Sequence, residues 1–213
     1  AVSTLMTATG ASMNEVSKAM DNLNWFTDET SYNFTDMIDT MSKFSASGVK
    51  DLSKLTRTVE GIALWGAKAG ANSQTVSRAM YQLSQAVGRG YITYQDWLQS
   101  AVNTNMATSE IKNQLLEAGG AAAKSAGAYR DFNESLKKGW LTIDVFNKVM
   151  DQYTEGIDQA NYENGEFINS QNGAANATTK FSEAAFRNAQ ECKTWADVIN
   201  AVQDAVSTSW GQT

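Results

Sequence analysis

The stretches Gly90-Tyr91-Ile92-Thr93-Tyr94-Gln95-Asp96-Trp97 and Gly139-Trp140-Leu141-Thr142-Ile143-Asp144-Val145-Phe146 read almost alike. In each, glycine stands where a helix closing in the left-handed conformation wants it, and threonine three residues on is placed to cap the next helix. With Thr93 as the cap, Ile92 and Trp97 occupy the two positions that a hydrophobic staple joins, and Leu141 and Phe146 bear the same relation to Thr142. The chain is therefore helix, punctuated by a stop-and-start joint that is used twice. The separation of Gly90 from Gly139 falls among the periods of solenoid repeats, but two copies fall short of the roughly three that a solenoid needs.

Upstream of the first joint, Ser73 is placed to cap a helix carrying Val76, Ala79, Met80, Leu83 and Val87, which stops at Gly88 or Gly90. Val49, Leu52, Leu55, Val59, Ile62 and Ala63 recur at helical spacing up to Gly66 and Gly70 and make the clearest helix of the chain. Phe34, Met37, Ile38, Met41 and Phe44 predict an amphipathic helix within 30–45, ended near Gly48. Ser12-Met13-Asn14-Glu15 is a capping box that opens a short helix running toward Asn24.

Downstream, Trp97, Leu98, Ala101 and Val102 continue the first joint, and Ile111, Leu115 and Leu116 predict a short helix over 109–118. The Gly, Ala and Ser run over 119–128 reads as a hinge. Tyr129, Phe132 and Leu136 lead into the second joint, and Val145, Phe146, Val149, Met150 and Tyr153 follow it. From Thr154 to Thr179 the sequence turns polar and acidic and reads as a mobile linker. Phe181, Ala184, Ala185 and Ala189 resume a helix, and Thr194-Trp195 is placed to cap a last one through Val198, Ile199, Val202, Val206 and Trp210. No run alternates apolar and polar residues. The expected class is all-α, a series of short to medium amphipathic helices joined by glycine-containing turns, with no sheet. The expected organisation is a helical region over 1–153, a linker over 154–179 and a helical segment over 180–213 that the end of the chain truncates.

Composition bounds the function. The 213 residues include no proline, so only glycine, asparagine and capping residues stop a helix. The formal charge is -6, with basic residues gathered over 43–89 and acidic ones over 151–166. Each group reads as a solvated helix face, and the acidic balance argues against a dedicated DNA reader. The single Cys192 forms no internal disulfide, which fits a reducing compartment, and reads as a small half-buried side chain. The chain starts at Ala1 without a signal-like segment and is expected to be a piece of a longer protein. No stretch approaches 18 uninterrupted apolar residues, the length that would mark a membrane span.

Catalytic patterns fail one by one. With no histidine, the commonest general base and metal ligand are missing, as are histidine-dependent triads. The Lys124-Ser125 pair ends a glycine-containing run, but alanines stand at 118 and 123, where a phosphate loop requires glycine. A calcium loop around Gly165 would need oxygen ligands at Ala160 and Tyr162. Asp36 and Asp39 lie one helical turn apart and read as exposed charge. The spacing of Gly66 and Gly70 suits either a close helix crossing or a helix end. No cofactor, metal or catalytic residue is assigned.

Several phrases together resemble the tail tape measure protein of long-tailed, siphovirus-type phages and prophages, in particular those of Gram-positive hosts. They are Asn33-Phe34-Thr35-Asp36-Met37, Gly61-Ile62-Ala63-Leu64-Trp65, and above all the run from Ala79 through Tyr81, Gln82, Leu83 and Gln85 to Ala86, followed by the first joint with Asp96-Trp97. Asn105-Met106, the second joint, Thr194-Trp195 and Ser209-Trp210 follow in the family's order. The resemblance covers about 30–213. It implies a long helical virion protein in the tail lumen that sets tail length while the tube polymerises and leaves ahead of the DNA. It also implies tail tube protein, assembly chaperones and tail tip proteins as partners and self-association in a few copies; the missing catalytic residues, not the resemblance, lead to the expectation of no enzyme activity in this segment. A muralytic tail protein with its catalytic domain elsewhere, a secreted helical-hairpin export substrate and a non-catalytic interaction module are the rival readings.

Overall fold

A computed structural model describes residues 2–46 and 48–211 of the chain, side chains excepted at 194–196, 209 and 210. Its axis is α4 (Leu52–Lys68), and the sequence explains why. Asp51 caps the helix, its carboxylate accepting the Lys54 N–H at 3.2 Å. From Thr58 to Ala67 every residue is buried. A helix with no exposed face has to be surrounded, and α2 (Met13–Glu29), α3 (Phe34–Ala46), α5 (Ser73–Val87), α9 (Ile143–Thr154) and α11 (Ala177–Gly211) all pack on it.

Glycine sets how close two of these neighbours come. A Cβ on Gly61 would stand 2.8 Å from Met150 Cβ and 3.0 Å from the Met150 backbone on α9. A Cβ on Gly66 would meet Val76 Cγ2 of α5 at 2.3 Å. Gly66 is therefore a close crossing, whereas Gly70, with φ of 78°, ends the helix.

The remaining elements fill in around this core. α1 (Val2–Thr9) lies on α2 and α3. After α5 the chain enters α6 (Tyr94–Trp97), which runs on into a π-helical turn over Leu98–Val102. α7 (Ser109–Ser125) bends at Gly120, and α8 (Phe132–Ser135) with a 3-10 turn over Leu136–Lys138 leads to α9. A 3-10 turn over Gln159–Asn161, the hairpin β1 (Tyr162–Glu163) and β2 (Glu166–Phe167), and α10 (Ile168–Gln171) precede α11.

The class is all-α: the structure is 74% helical, with a single two-stranded sheet among the described residues. That hairpin turns at Asn164 and Gly165, both at positive φ, and an Asn-Gly pair suits such a turn. Other boundaries differ from the reading of the sequence. α1 precedes the capping box, and α2 continues past Asn24 to bury Trp25 and Phe26. Asn72 rather than Ser73 caps α5, its Oδ1 accepting the Thr75 N–H at 2.9 Å. The small-residue run does break the helix: Gly120, at φ 56° and ψ -132°, leaves the helical conformation, and a second helical piece runs on to Ser125; a Cβ on Gly119 would lie 2.6 Å from the Trp140 ring, so small residues also make room for that indole.

α11 is one continuous helix of 35 residues, with no break at Thr194. Nothing between Lys193 and Val198 stops a helix, and a capping residue inside one does not end it. The side chains of Thr194, Trp195, Ser209 and Trp210 lie outside the described residues. The polar stretch 154–179 buries Ile157 and Phe167, and the Tyr162 ring lies 5.4 Å from Trp25 and 5.8 Å from Phe186. These three apolar contacts follow no regular period, which is why the sequence pattern did not reveal them. From 197 to 208, α11 is exposed all round, Val198, Ile199, Val202 and Val206 included. No described helix is long and apolar enough to cross a membrane.

Gly61→Ala is expected to destabilise the chain by about 1–3 kcal/mol, because overpacking against the α9 backbone outweighs the helix-propensity gain of alanine. Urea unfolding followed by circular dichroism at 222 nm measures it, and a stabilised variant would contradict the close α4–α9 approach.

Candidate functional site

The two joints are not independent copies; they clasp one another. Gly90 and Gly139, with φ of 90° and 71°, turn the chain out of the preceding elements. The Ile92 N–H then donates to the Leu141 carbonyl at 2.8 Å, and the Ile143 N–H donates to the Gly90 carbonyl at 3.0 Å. Tyr91 faces Thr142 in an isolated antiparallel bridge. Residues that stop one helix and start another have free backbone groups, and here each joint satisfies the other's.

Each joint also carries its own cap, with unequal chemistry. Thr93 Oγ1 accepts the Asp96 N–H at 3.1 Å. Asp96 Oδ2 in return accepts the Thr93 N–H at 2.9 Å and the Thr93 hydroxyl at 2.8 Å. The Arg89 guanidinium closes on the same carboxylate oxygen. At the second joint Thr142 Oγ1 accepts the Val145 N–H at 3.2 Å, and valine has nothing to return.

Beneath the clasp, Ile92, Trp97, Leu141 and Phe146 are all buried. Trp97 stacks on Trp65 of α4 at 6.0 Å and 9°, while Phe146 meets the same indole edge-on at 6.2 Å. Trp65 Nε1 donates to the Met106 carbonyl at 2.8 Å. Trp97 also packs on Phe132 at 5.1 Å, and Phe132 on Trp140 at 5.7 Å, so one aromatic cluster joins both joints to α4.

The helix before the first joint divides its residues between core and surface. Leu83 is buried, Gln82 half-buried, and Tyr81 and Gln85 exposed. Lys43 Nζ lies 4.4 Å above the Tyr81 ring, and Arg89 lies 5.7 Å over that of Tyr91. Sequence reasoning singled out Thr93 and Asp96 without pairing them, although Thr-x-x-Asp is a capping-box pattern. The pairing of the joints themselves has no local signal.

A family model described as tape measure protein matches residues 2–194. The chain belongs to the tape measure protein family. The match spans both joints, α4 and the stretch 154–179. Comparison with curated proteins and with solved structures gave no match. Tape measure proteins are structural components of phage tails, and this chain is placed among them by that match.

The tape measure chain has a second feature that its sequence did not announce. An open cleft of about 1180 Å³ lies between α2, the start of α4 and the loop after α9, and Glu60 lines it. Glu60 is only 1% exposed. Asn22 Nδ2 donates to Glu60 Oε1 at 3.1 Å, and Asn22 Oδ1 accepts the Gln159 N–H at 3.0 Å. Burial pushes the Glu60 carboxyl well above the ordinary carboxylate range, against the Asn22 hydrogen bond, and Asp158 adds repulsion. The available signal was a carboxylate inside the apolar run Val59–Trp65. Cys192 carries no comparable chemistry: burial, then Glu191, pushes its thiol up and away from the reactive thiolate.

Asp96→Ala is expected to cost roughly 2–3 kcal/mol, since it strands the Thr93 N–H and the Arg89 charge, against about 1 kcal/mol for Thr142→Ala, which removes a single cap. Urea midpoints of the two variants measure this, and equal losses would refute the asymmetry of the joints.

Glu60→Gln is expected to raise the melting temperature at pH 7 and to change it little at pH 4. In the wild type the folded state holds the Glu60 proton at pH values where the unfolded chain has lost it. Stability therefore falls as pH rises above the unfolded carboxylate value, about 4.3, toward the raised folded one. Glutamine does not titrate. A melting difference independent of pH would contradict a protonated Glu60.

Proposed function

We propose that this tape measure protein sets tail length, its helical chain lying in the tail lumen as a ruler around which the tube subunits polymerise, and that it leaves ahead of the DNA at ejection. The observation that carries the reading is the family match over residues 2–194. The unbroken 35-residue α11 supports it in physical terms. A helix rises about 1.5 Å per residue, so a helical chain has a length proportional to its residue count. The absence of proline suits the same task.

In this reading the virus is of the long-tailed siphovirus type, on a Gram-positive host. The partners are the tail tube protein, the assembly chaperones and the tail tip proteins, with a few copies of the chain associating. Residues 1–153 form a helical tape-measure-like region, 154–179 an acidic connecting segment that the family match also covers, and 180–213 a helical segment. The joints, with Gly90, Ile92, Thr93, Trp97, Gly139, Leu141, Thr142 and Phe146, act as rigid corners of the module. The phrase residues Tyr81, Gln82 and Gln85 offer its contact surface. The role is structural rather than enzymatic.

An in-frame deletion of about 40 residues of helical ruler sequence from the full gene is expected to shorten the tail by roughly 60 Å per the helical rise. Tail lengths in electron micrographs measure it, and an unchanged tail would refute the ruler.

A further inference from the structure

We propose that the far half of α11, residues 197–208, is the surface by which one copy of this chain packs on a second copy, the two helices lying parallel with Ile199, Val202 and Val206 in the seam. The inference rests on the reading of the chain as a tape measure whose copies associate, and it names the face that joins them. α11 changes sides along its length. In its first half, where it packs on α4 and α9, Ser182, Ala185, Phe186 and Ala189 are buried. In its second half Val198, Ile199, Val202 and Val206 are 47–57% exposed, and every residue over 197–208 is exposed with them. At about 100° per residue, this apolar face is turned by roughly 135° about the helix axis from the face that the body of the chain covers. It looks away from its own core, and no described element of the chain lies on it. Helices draw most of their stability from packing of the apolar face, so these residues call for a cover from outside.

The pattern of the segment says which cover fits. Ile199, Val202 and Val206 follow the three-and-four spacing of a coiled-coil seam, and β-branched residues at its first positions favour two parallel strands. The flanking Val198, Gln203 and Ala205 are uncharged, so the seam neither repels an identical helix nor selects a charged partner. The charges of the segment, Asp197 and Asp204, stand on the opposite side of the helix and stay in water when two copies meet. A lipid surface is disfavoured by the same pattern, because helices that lie on membranes carry Lys or Arg on the polar face and 197–208 has neither. Each apolar face points away from its own core, so two copies joined through it keep their folded bodies on the outer sides.

The extent of the face sets the strength of the pairing. Its twelve residues span about 18 Å of helix, and a seam of that length falls below the roughly 1,200 Å² of a stable interface. Association is therefore weak in dilute solution and forms where the local concentration is high, as between copies confined in one tail. Each chain carries a formal charge of -6, so added salt relieves repulsion between copies and strengthens the pairing.

Sedimentation equilibrium of the 213-residue chain up to about 1 mM, at low and at high salt, tests the proposal. The wild type is expected to gain mass with concentration, more so at high salt, and Val202→Asp to weaken the association roughly tenfold or more. Because Val202 is exposed, that variant is expected to keep its helical circular dichroism. In a Cys192→Ser background under oxidised glutathione, Ile199→Cys and Val206→Cys are each expected to form a linked pair at least about fivefold faster than Asp204→Cys on the far side. A chain that stays monomeric at the highest concentration, or a folded Val202→Asp chain that associates as the wild type does, would overturn the proposal. Linked pairs that form only when Ile199→Cys and Val206→Cys chains are mixed would overturn the parallel arrangement. A monomer that binds phosphatidylglycerol vesicles through Val202 would replace the second copy with a membrane surface. Tail length in the deletion experiment tests the ruler separately.

Discussion

Trp65 sits where the tertiary structure is tied together. It lies in the Thr58 to Ala67 stretch of α4, where every residue is buried; its indole face stacks on Trp97 from the first joint, its edge receives Phe146 from the second, and its N–H donates to the Met106 carbonyl beyond the π-helical turn. Each aromatic pair contributes about 0.5–1.5 kcal/mol beyond area burial, and the buried hydrogen bond avoids the cost of an unpaired indole N–H. Its larger consequence is geometric. Because one side chain contacts both joints, the distance between them is fixed from below, and the backbone bridge between Tyr91 and Thr142 forms at the top.

The close approaches of α4 belong to the same constraint. Gly61 lets the α9 backbone come near enough for Phe146 to reach Trp65, and Gly66 does the same for α5 at Val76. Thr58 on α4 donates to Asn147 Oδ1 on α9 at 3.0 Å, which sets the register of that crossing with a buried polar contact. Close packing of this kind tolerates little change in volume. A module built so suits a structural role in a phage tail, where a folded unit has to keep its shape among neighbours, and needs no reactive group to do so.

The cleft at the other end of α4 follows a different logic. There the helix carries a carboxyl into the interior, held by Asn22 from α2, and the acidic loop after α9 closes over it. The acidic stretch that reads as a linker in sequence is thus also the wall of a cavity.

Helical class, the caps at Ser12, Thr93 and Thr142, the left-handed glycines of the joints and the amphipathic period of α3 to α5 were all legible along the chain, because each depends on residues within one or two helical turns. The family phrases were legible for the same reason, being local strings. Other features were not. The extension of α2 to Glu29, the continuity of α11 through Thr194, the burial of Ile157 and Phe167 and the packing of the half-buried Tyr162 rest on partners far away in sequence, which override local stop signals and supply contacts without a period. Ile92 and Leu141, or Glu60 and Asn22, carry no mark of one another in the sequence. Local chemistry made two similar joints, and only packing around α4 decided that they should bind each other and leave one carboxyl buried beside an open cleft.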